Sequence, residues 1–154
     1  MGRMGATPPP IAKVAGSVTD YYRQGPYRDF AQEHRSGGTF GVRMIQVEQG
    51  TIETVDPAAT DVSFACNVGN VAPFETNFGD GWKRHTPSGR MIDIQPAATE
   101  CSLRLPPMTL RIVHVEETCL RSLLAAHRLS ANTLDGVTER CRHVPRAIAA
   151  LDSI

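Results

Sequence analysis

The chain has no excess of either charge: Lys+Arg and Asp+Glu stand at 16 each in 154 residues. A domain that grips nucleic acid by itself normally needs a basic excess, because phosphate neutralisation dominates its affinity. Nucleic-acid binding by this stretch alone is therefore not expected. Long apolar runs are also missing, so nothing approaches the roughly 20 residues of a membrane-spanning helix, and no membrane partner is expected. The opening MGRMGATPPPIAKVAG lacks the apolar core of a secretory signal, and Ala6 stands where a myristoylation site wants Ser or Thr. Cysteine is sparse; the four, at positions 66, 101, 119 and 141, form no C-x-x-C pair and no metal spacing. Reduced thiols in a cytoplasmic protein are expected. There is no G-x-S-x-G, and Gly79-Asp80-Gly81 is not followed by the Lys-Ser/Thr of a phosphate loop. With 41% hydrophobic and 21% charged residues the composition is that of an ordinary globular domain, long enough for one core.

What is present divides the chain in three. Residues 1–38 read as an amino-terminal arm with short helices. Ser17 and Asp20 have capping-box spacing, and Gly25-Pro26 would stop one short helix and start another. Tyr21, Tyr22, Tyr27 and Phe30 pack this arm onto either the core or a ligand mouth. Residues 39–115 change to a period of two. Thr39–Thr54 reads as one long strand or a hairpin around Gly50, and Val62, Phe64, Cys66 and Val68 alternate with small or polar neighbours. Phe74–Phe78, Trp82–His85, Met91–Gln95, Cys101–Leu105 and Met108–Val115 follow, separated by turn signals. Strands of this length and spacing indicate a sandwich or a small antiparallel barrel able to enclose one small ligand. Residues 116–154 turn helical: Leu120, Leu123, Leu124 and Leu129 make one stripe, Asn132 or Thr133 caps a second helix, and Pro145 opens a third.

No catalytic residues are assigned, and a cofactor is not expected. The candidate ligand residues are Phe64 and Cys66 on one strand face, Trp82 and Arg84 on another, and His114. Tryptophan with arginine suits an anionic or aromatic ligand by stacking and charge; equally, Trp82 is core and Arg84 rims the barrel. His114 in an apolar strand reads more readily as a satisfied core histidine, and His85 as exposed. Cys119 reads as an inert packed thiol, and Glu116 and Glu117 as charges favourable to a helix start.

The run GRMIDIQPAATECSLRLPPMTLRIVHVEETCLRSLL resembles a segment of AraC-family transcription regulators, with Gly89, Ile94, Pro96, Leu103, Pro106 and Leu124 at matching positions. The resemblance covers about residues 39–126. It implies a mainly β fold, a cupin-like antiparallel β-barrel of jelly-roll type followed by two or three helices. It also implies a small-molecule effector in the barrel and a homodimer formed through Leu120, Leu123 and Leu124. Two helix-turn-helix units would lie further along; nothing after Arg128 supplies them, so either a longer parent protein or a free-standing sensing domain is expected. Gly81, Pro87 and Gly89 fit the second cupin motif, but Ile92 stands at its metal histidine and no His-x-His occurs, so no metal is expected. The alternatives are a metal-independent cupin-fold isomerase or lyase and a stand-alone structural dimerisation module. The enzyme would take its general base from Glu75, Asp93 or His114, of which Glu75 and Asp93 are expected to point outward. At physiological salt the chain should give no sequence-selective shift of duplex DNA in a gel; a salt-resistant, selective shift would contradict the charge argument.

Overall fold

The computed structural model describes residues 16–69, 72–87, 89–130, 141–142 and 145–154. The fold is mainly antiparallel β. Its elements run α1 (Val18–Gln24), β1 (Ala31–Gly37), β2 (Val42–Gln49), β3 (Ile52–Asp56), β4 (Asp61–Val68), β5 (Phe74–Asn77), β6 (Lys83–His85), β7 (Ile92–Gln95), β8 (Cys101–Leu105), β9 (Met108–Glu116), α2 (Glu117–Ala126), β10 (Cys141–Arg142) and α3 (Pro145–Asp152). Residues 1–15 of the expected arm and the cap expected at Asn132 or Thr133 lie outside the described residues.

The strands form two sheets, ordered β1-β2-β9-β4-β7-β10 and β3-β8-β5-β6. Four antiparallel pairings are nested: β2 with β9, β3 with β8, β4 with β7, and β5 with β6. This is one long hairpin rolled up about its tip, with β4–β9 and β5–β8 pairings closing the roll. That arrangement is a jelly roll. The tip is the β5–β6 turn. There Asn77 Oδ1 accepts from the amides of Gly79 (2.8 Å) and Gly81 (3.1 Å), and both glycines take left-handed φ near 100°.

Two expectations need correction. First, the arm contains one helix and a strand: β1 pairs with β2 from Ala31↔Glu48 to Gly37↔Val42, so the sheet begins inside residues 1–38. Second, β2 and β3 do not form a hairpin around Gly50. The turn carries the chain from one sheet to the other, because β2 pairs with β9 and β3 with β8. The expected jelly-roll fold followed by helices stands: the strands lie in two layers, and no strand pairing joins the two sheets among the described residues.

The six-stranded sheet is covered on both faces. Outward, Val62 and Val115 pack under Leu120 of α2, with Leu123 and Leu124 half-buried in the same cluster. Met44, Cys66, Ile92 and Val113 lie under Ile148 and Leu151 of α3. Arg90 anchors α3 through a two-pronged bond to Asp152 (2.6 and 2.8 Å), and Arg111 donates to the Leu151 carbonyl. Inward, Ile45, Val47 and Ile112 meet Tyr22 and Tyr27, while Leu110 reaches Leu103 and Leu105 of the opposite sheet. The leucine stripe of α2 is therefore directed largely at the chain's own core. Leu120→Ala should lower unfolding free energy by about 2–4 kcal/mol in a urea titration, with the slope unchanged. A loss below about 0.5 kcal/mol would show that α2 is not part of the cooperative core.

Candidate functional site

Between the sheets runs a cavity of about 90 Å³, room for several waters or a small guest. Its walls come from the inward rows of both sheets. Strand β4 presents Asp61, Ser63, Ala65 and Asn67, and β7 with its leading residue presents Met91, Asp93 and Gln95. Phe74, Thr76, Leu103 and Leu105 face them across the gap, with Met108, Leu110 and Ile112 alongside. One end is closed by α1 and the loop after it, through Ser17, Val18, Tyr21, Tyr22 and Tyr27.

The helix is held there by buried acceptors. Ser17 caps it, accepting from the Asp20 amide and donating to the Asp20 carboxylate, as the capping-box spacing predicts. Asp61 Oδ2 accepts from the Val18 amide (3.2 Å) and meets His114 Nδ1 at 2.7 Å. The other ring nitrogen of His114 meets the Thr19 hydroxyl at 3.1 Å. Burial pushes the Asp61 carboxyl up, but the bonds from His114 and Val18 outweigh it and hold the group below the usual carboxylate range. At the helix's other end Gly25 is required by close approach: a Cβ there would sit 2.5 Å from the Tyr21 carbonyl oxygen.

A second acceptor, Asp56 at the end of β3, takes hydrogen bonds from the hydroxyls of Tyr21 (3.0 Å) and Tyr27 (3.2 Å). Tyr22 stacks on Tyr27 with ring centroids 4.3 Å apart, and Tyr21 meets both edge-on. Burial pushes the Asp56 carboxyl up to about 7, against the two phenol bonds, and the negative Asp93 adds to the rise. Burial beside this carboxyl also raises all three phenols well above their ordinary value.

The sequence-derived site residues are not brought together. Phe64 and Cys66 stand on the outward face of β4, against α2 and α3. Trp82 lies outside the sandwich, 40% exposed, its ring under the guanidinium of Arg104 at 4.0 Å rather than near Arg84. Arg84 sits opposite Glu75 on that same outer face. His114 is fully buried and bonded to Asp61 and Thr19, in keeping with a satisfied core histidine; it does not line the cavity. Glu75 points away from the cavity, paired with Arg104. Asp93 corrects the expectation: it lines the cavity, while Ile92 and Ile94 pack under the helices. His85 is half-buried, stacked on Phe74 and bonded to Thr76, not exposed.

The misplacements of Phe64, Cys66 and Asp93 share one cause. On β4 and β7 the more apolar row faces the helices, and the polar row faces the cavity. Reading apolar as inward selects the wrong row. Ile92, at the position of a cupin metal ligand, therefore points outward; its inward neighbour is Asp93. Among the described residues no three His, Cys, Asp or Glu side chains converge on a metal position. No helix among them is long and apolar enough to cross a membrane.

No protein-family model matches the chain, and no curated protein sequence matches it. Among solved structures it is similar to the cupin domain of Cnp3 from Schizosaccharomyces pombe: 16% identity over 61% of this chain and 64% of that one, with a TM-score of 0.42. It is also similar to PhpD with cadmium and hydroxyethylphosphonate (14% identity, 78% and 31% covered, TM-score 0.38) and to a hydroxyethylphosphonate dioxygenase variant (15%, 79% and 30%, TM-score 0.37). The chain spans less than two thirds of the length of each. No residue role is carried across from them; the cupin-like jelly roll is assigned from this chain's own strand order.

Asp56 makes stability depend on pH. Its folded pKa exceeds the ordinary 3.8. Its contribution is thus fully present below that value and is lost as pH rises through about 7. Asp56→Asn, always neutral and still able to accept from the two tyrosines, should gain on the wild type by several degrees of melting temperature between pH 5 and pH 8. A difference independent of pH would show that Asp56 is ionised throughout.

Proposed function

We propose that this chain is a small-molecule-sensing domain of the kind found in AraC-type transcription regulators, with the effector held between the two sheets. The observation that carries this reading is the internal cavity closed by α1. Val18, Tyr21 and Tyr22 face the cavity. Asp56 and Asp61, which also line it, hold the same helix in place. An occupant that touches these carboxylates changes what α1 is bonded to, so occupancy and the packing of α1 are linked. A symmetric pair across α2 would have to use what Leu120 leaves over: the half-buried Leu123 and Leu124 and the 58% exposed Leu129. Light scattering over a concentration range separates that pair from a monomer.

A second reading, the metal-independent enzyme, is favoured by one observation. Asp56 is a cavity carboxyl held near neutrality, as a general base needs to be. Turnover of a bound compound, abolished in Asp56→Asn, would replace sensing with catalysis.

Thermal-shift screening of a metabolite library tests the main reading. At least one compound should raise the melting temperature by a few degrees at concentrations well above its dissociation constant. The response should vanish in Ala65→Leu, which fills the cavity, and survive Trp82→Ala on the outer face. No responding compound, or equal responses in Ala65→Leu, would defeat the proposal.

A further inference from the structure

The helices α2 and α3 cover the six-stranded sheet. Among the described residues no helix covers the outer face of β3-β8-β5-β6, which displays Val55 and Trp82 at 50% and 40% exposure. Register sets the charged side chains of this face in one row across all four strands. Glu53 of β3 pairs with Arg104 of β8, Arg104 with Glu75 of β5, and Glu75 with Arg84 of β6. The row therefore alternates negative, positive, negative, positive. Arg104 is shared in its middle, 3.2 Å from Glu53 and 3.5 Å from Glu75, with the Trp82 ring under its guanidinium. At one end Arg84 is exposed and has no ion pair among the described residues. At the other, Glu53 leaves 66% of its side chain in water. Two residues along the strands, Val55, Ser102 and Asn77 form a second row, with Trp82 on its β6 side.

We propose that this face pairs with a second copy of the chain, about a two-fold axis that runs along the strands. Rotation about that axis reverses the order of the strands and keeps each row at its own level. The row Glu53-Arg104-Glu75-Arg84 then meets Arg84-Glu75-Arg104-Glu53 of the second copy, so every charge faces its opposite. Arg84 gains Glu53 of the second copy as its partner. Val55 of each copy falls over the β6 end of the other, where Trp82 is rooted. A two-fold axis along the row would instead set like charge against like. Sheets pack face to face about 10 Å apart, a gap that one arginine and one glutamate span together. A nucleic acid or an anionic membrane, charged with one sign throughout, would meet two glutamates for its two arginines. An alternating row is matched by its own reverse. Four strands about 4.8 Å apart make a face roughly 19 Å wide, small for an obligate interface, so the pair is reversible and weakened by salt. The surface is distinct from α2, whose Leu120 is buried in the chain's own core.

The test is charge reversal, read as the dissociation constant of the whole chain by sedimentation at low and at physiological salt. The wild type should form a reversible dimer that added salt weakens. Arg84→Glu and Glu53→Arg should each raise the dissociation constant about tenfold or more, since either change sets like charges together at two places in the pair. Both positions are exposed, and the ion pair that Glu53→Arg removes within the chain lies at the surface. Both variants should therefore melt within a few degrees of the wild type. Mixed in equal amounts, they should recover a heterodimer within about threefold of the wild-type affinity, because each supplies the charge the other needs. A chain carrying both changes should dimerise by itself for the same reason. A wild type that stays monomeric up to about 1 mM at low salt overturns the proposal. So does a dimer that both single variants leave intact, as a pair through α2 would be, or a mixture in which the two variants do not associate.

Discussion

Strand β4 is buried on both faces, and each face makes a different demand on the rest of the chain. Val62, Phe64 and Cys66 form an apolar row that loses about 25 cal/mol for every Å² left in water. The helices α2 and α3 exist to cover that row and its continuation through Ile92, Val113 and Val115. Asp61, Ser63, Ala65 and Asn67 form the opposite row, which must face the second sheet. Polar side chains there cannot close-pack against Leu103 and Leu105 without leaving acceptors unsatisfied. The sheets therefore meet closely where apolar rows oppose each other and stand apart where β4 and β7 turn polar groups inward. The cavity follows from that mismatch.

The strands themselves were largely legible. Alternation and turn residues located β4, β7, β8 and β9 to within a residue, and Pro145 marked the first turn of α3. What could not be read was the face. A period of two distinguishes two rows without saying which is inward, and the usual rule fails when helices bury the outside as thoroughly as the core buries the inside. Phe64 and Cys66 were assigned to the cavity for that reason, and Asp93 was assigned to solvent. The nested pairings were equally invisible locally, since β2 meets β9 about 60 to 70 residues further along the chain. The short β1 was hidden because AQEHRSG carries the charges of an exposed edge strand rather than a hydrophobic alternation.

The closing helix shows the same division. The cap of α1 is a local signal, Ser17 with Asp20, and the sequence displays it openly. Its docking depends on side chains far away: Asp61 lies 43 positions from Val18 and 53 from His114. A carboxylate, an imidazole and a threonine hydroxyl make a network in which each member satisfies another. Such a network fixes one position for the helix more than it adds stability, because removing any one member leaves a buried polar group without its partner. The tyrosines do the same at the other end, where two phenols share Asp56.

The two networks differ in how an occupant of the cavity would affect them. Asp56 and Asp61 already have donors from α1 or its loop, so a guest that reaches either must compete with the helix for the same oxygen. Asp93 stands on β7, between β4 and β10, and lines the same cavity. Along β4, successive inward residues are about 6.6 Å apart, so a group seated at Ser63 is one inward residue from Asp61. A guest that reaches neither Asp56 nor Asp61 would stabilise the domain with little change at α1. One extended toward Asp61 would exchange part of its binding energy for displacement of the helix. On the proposed ligand-site reading, the response of α1 is thus decided within a single strand, by how far an occupant extends from Ser63 to Asp61.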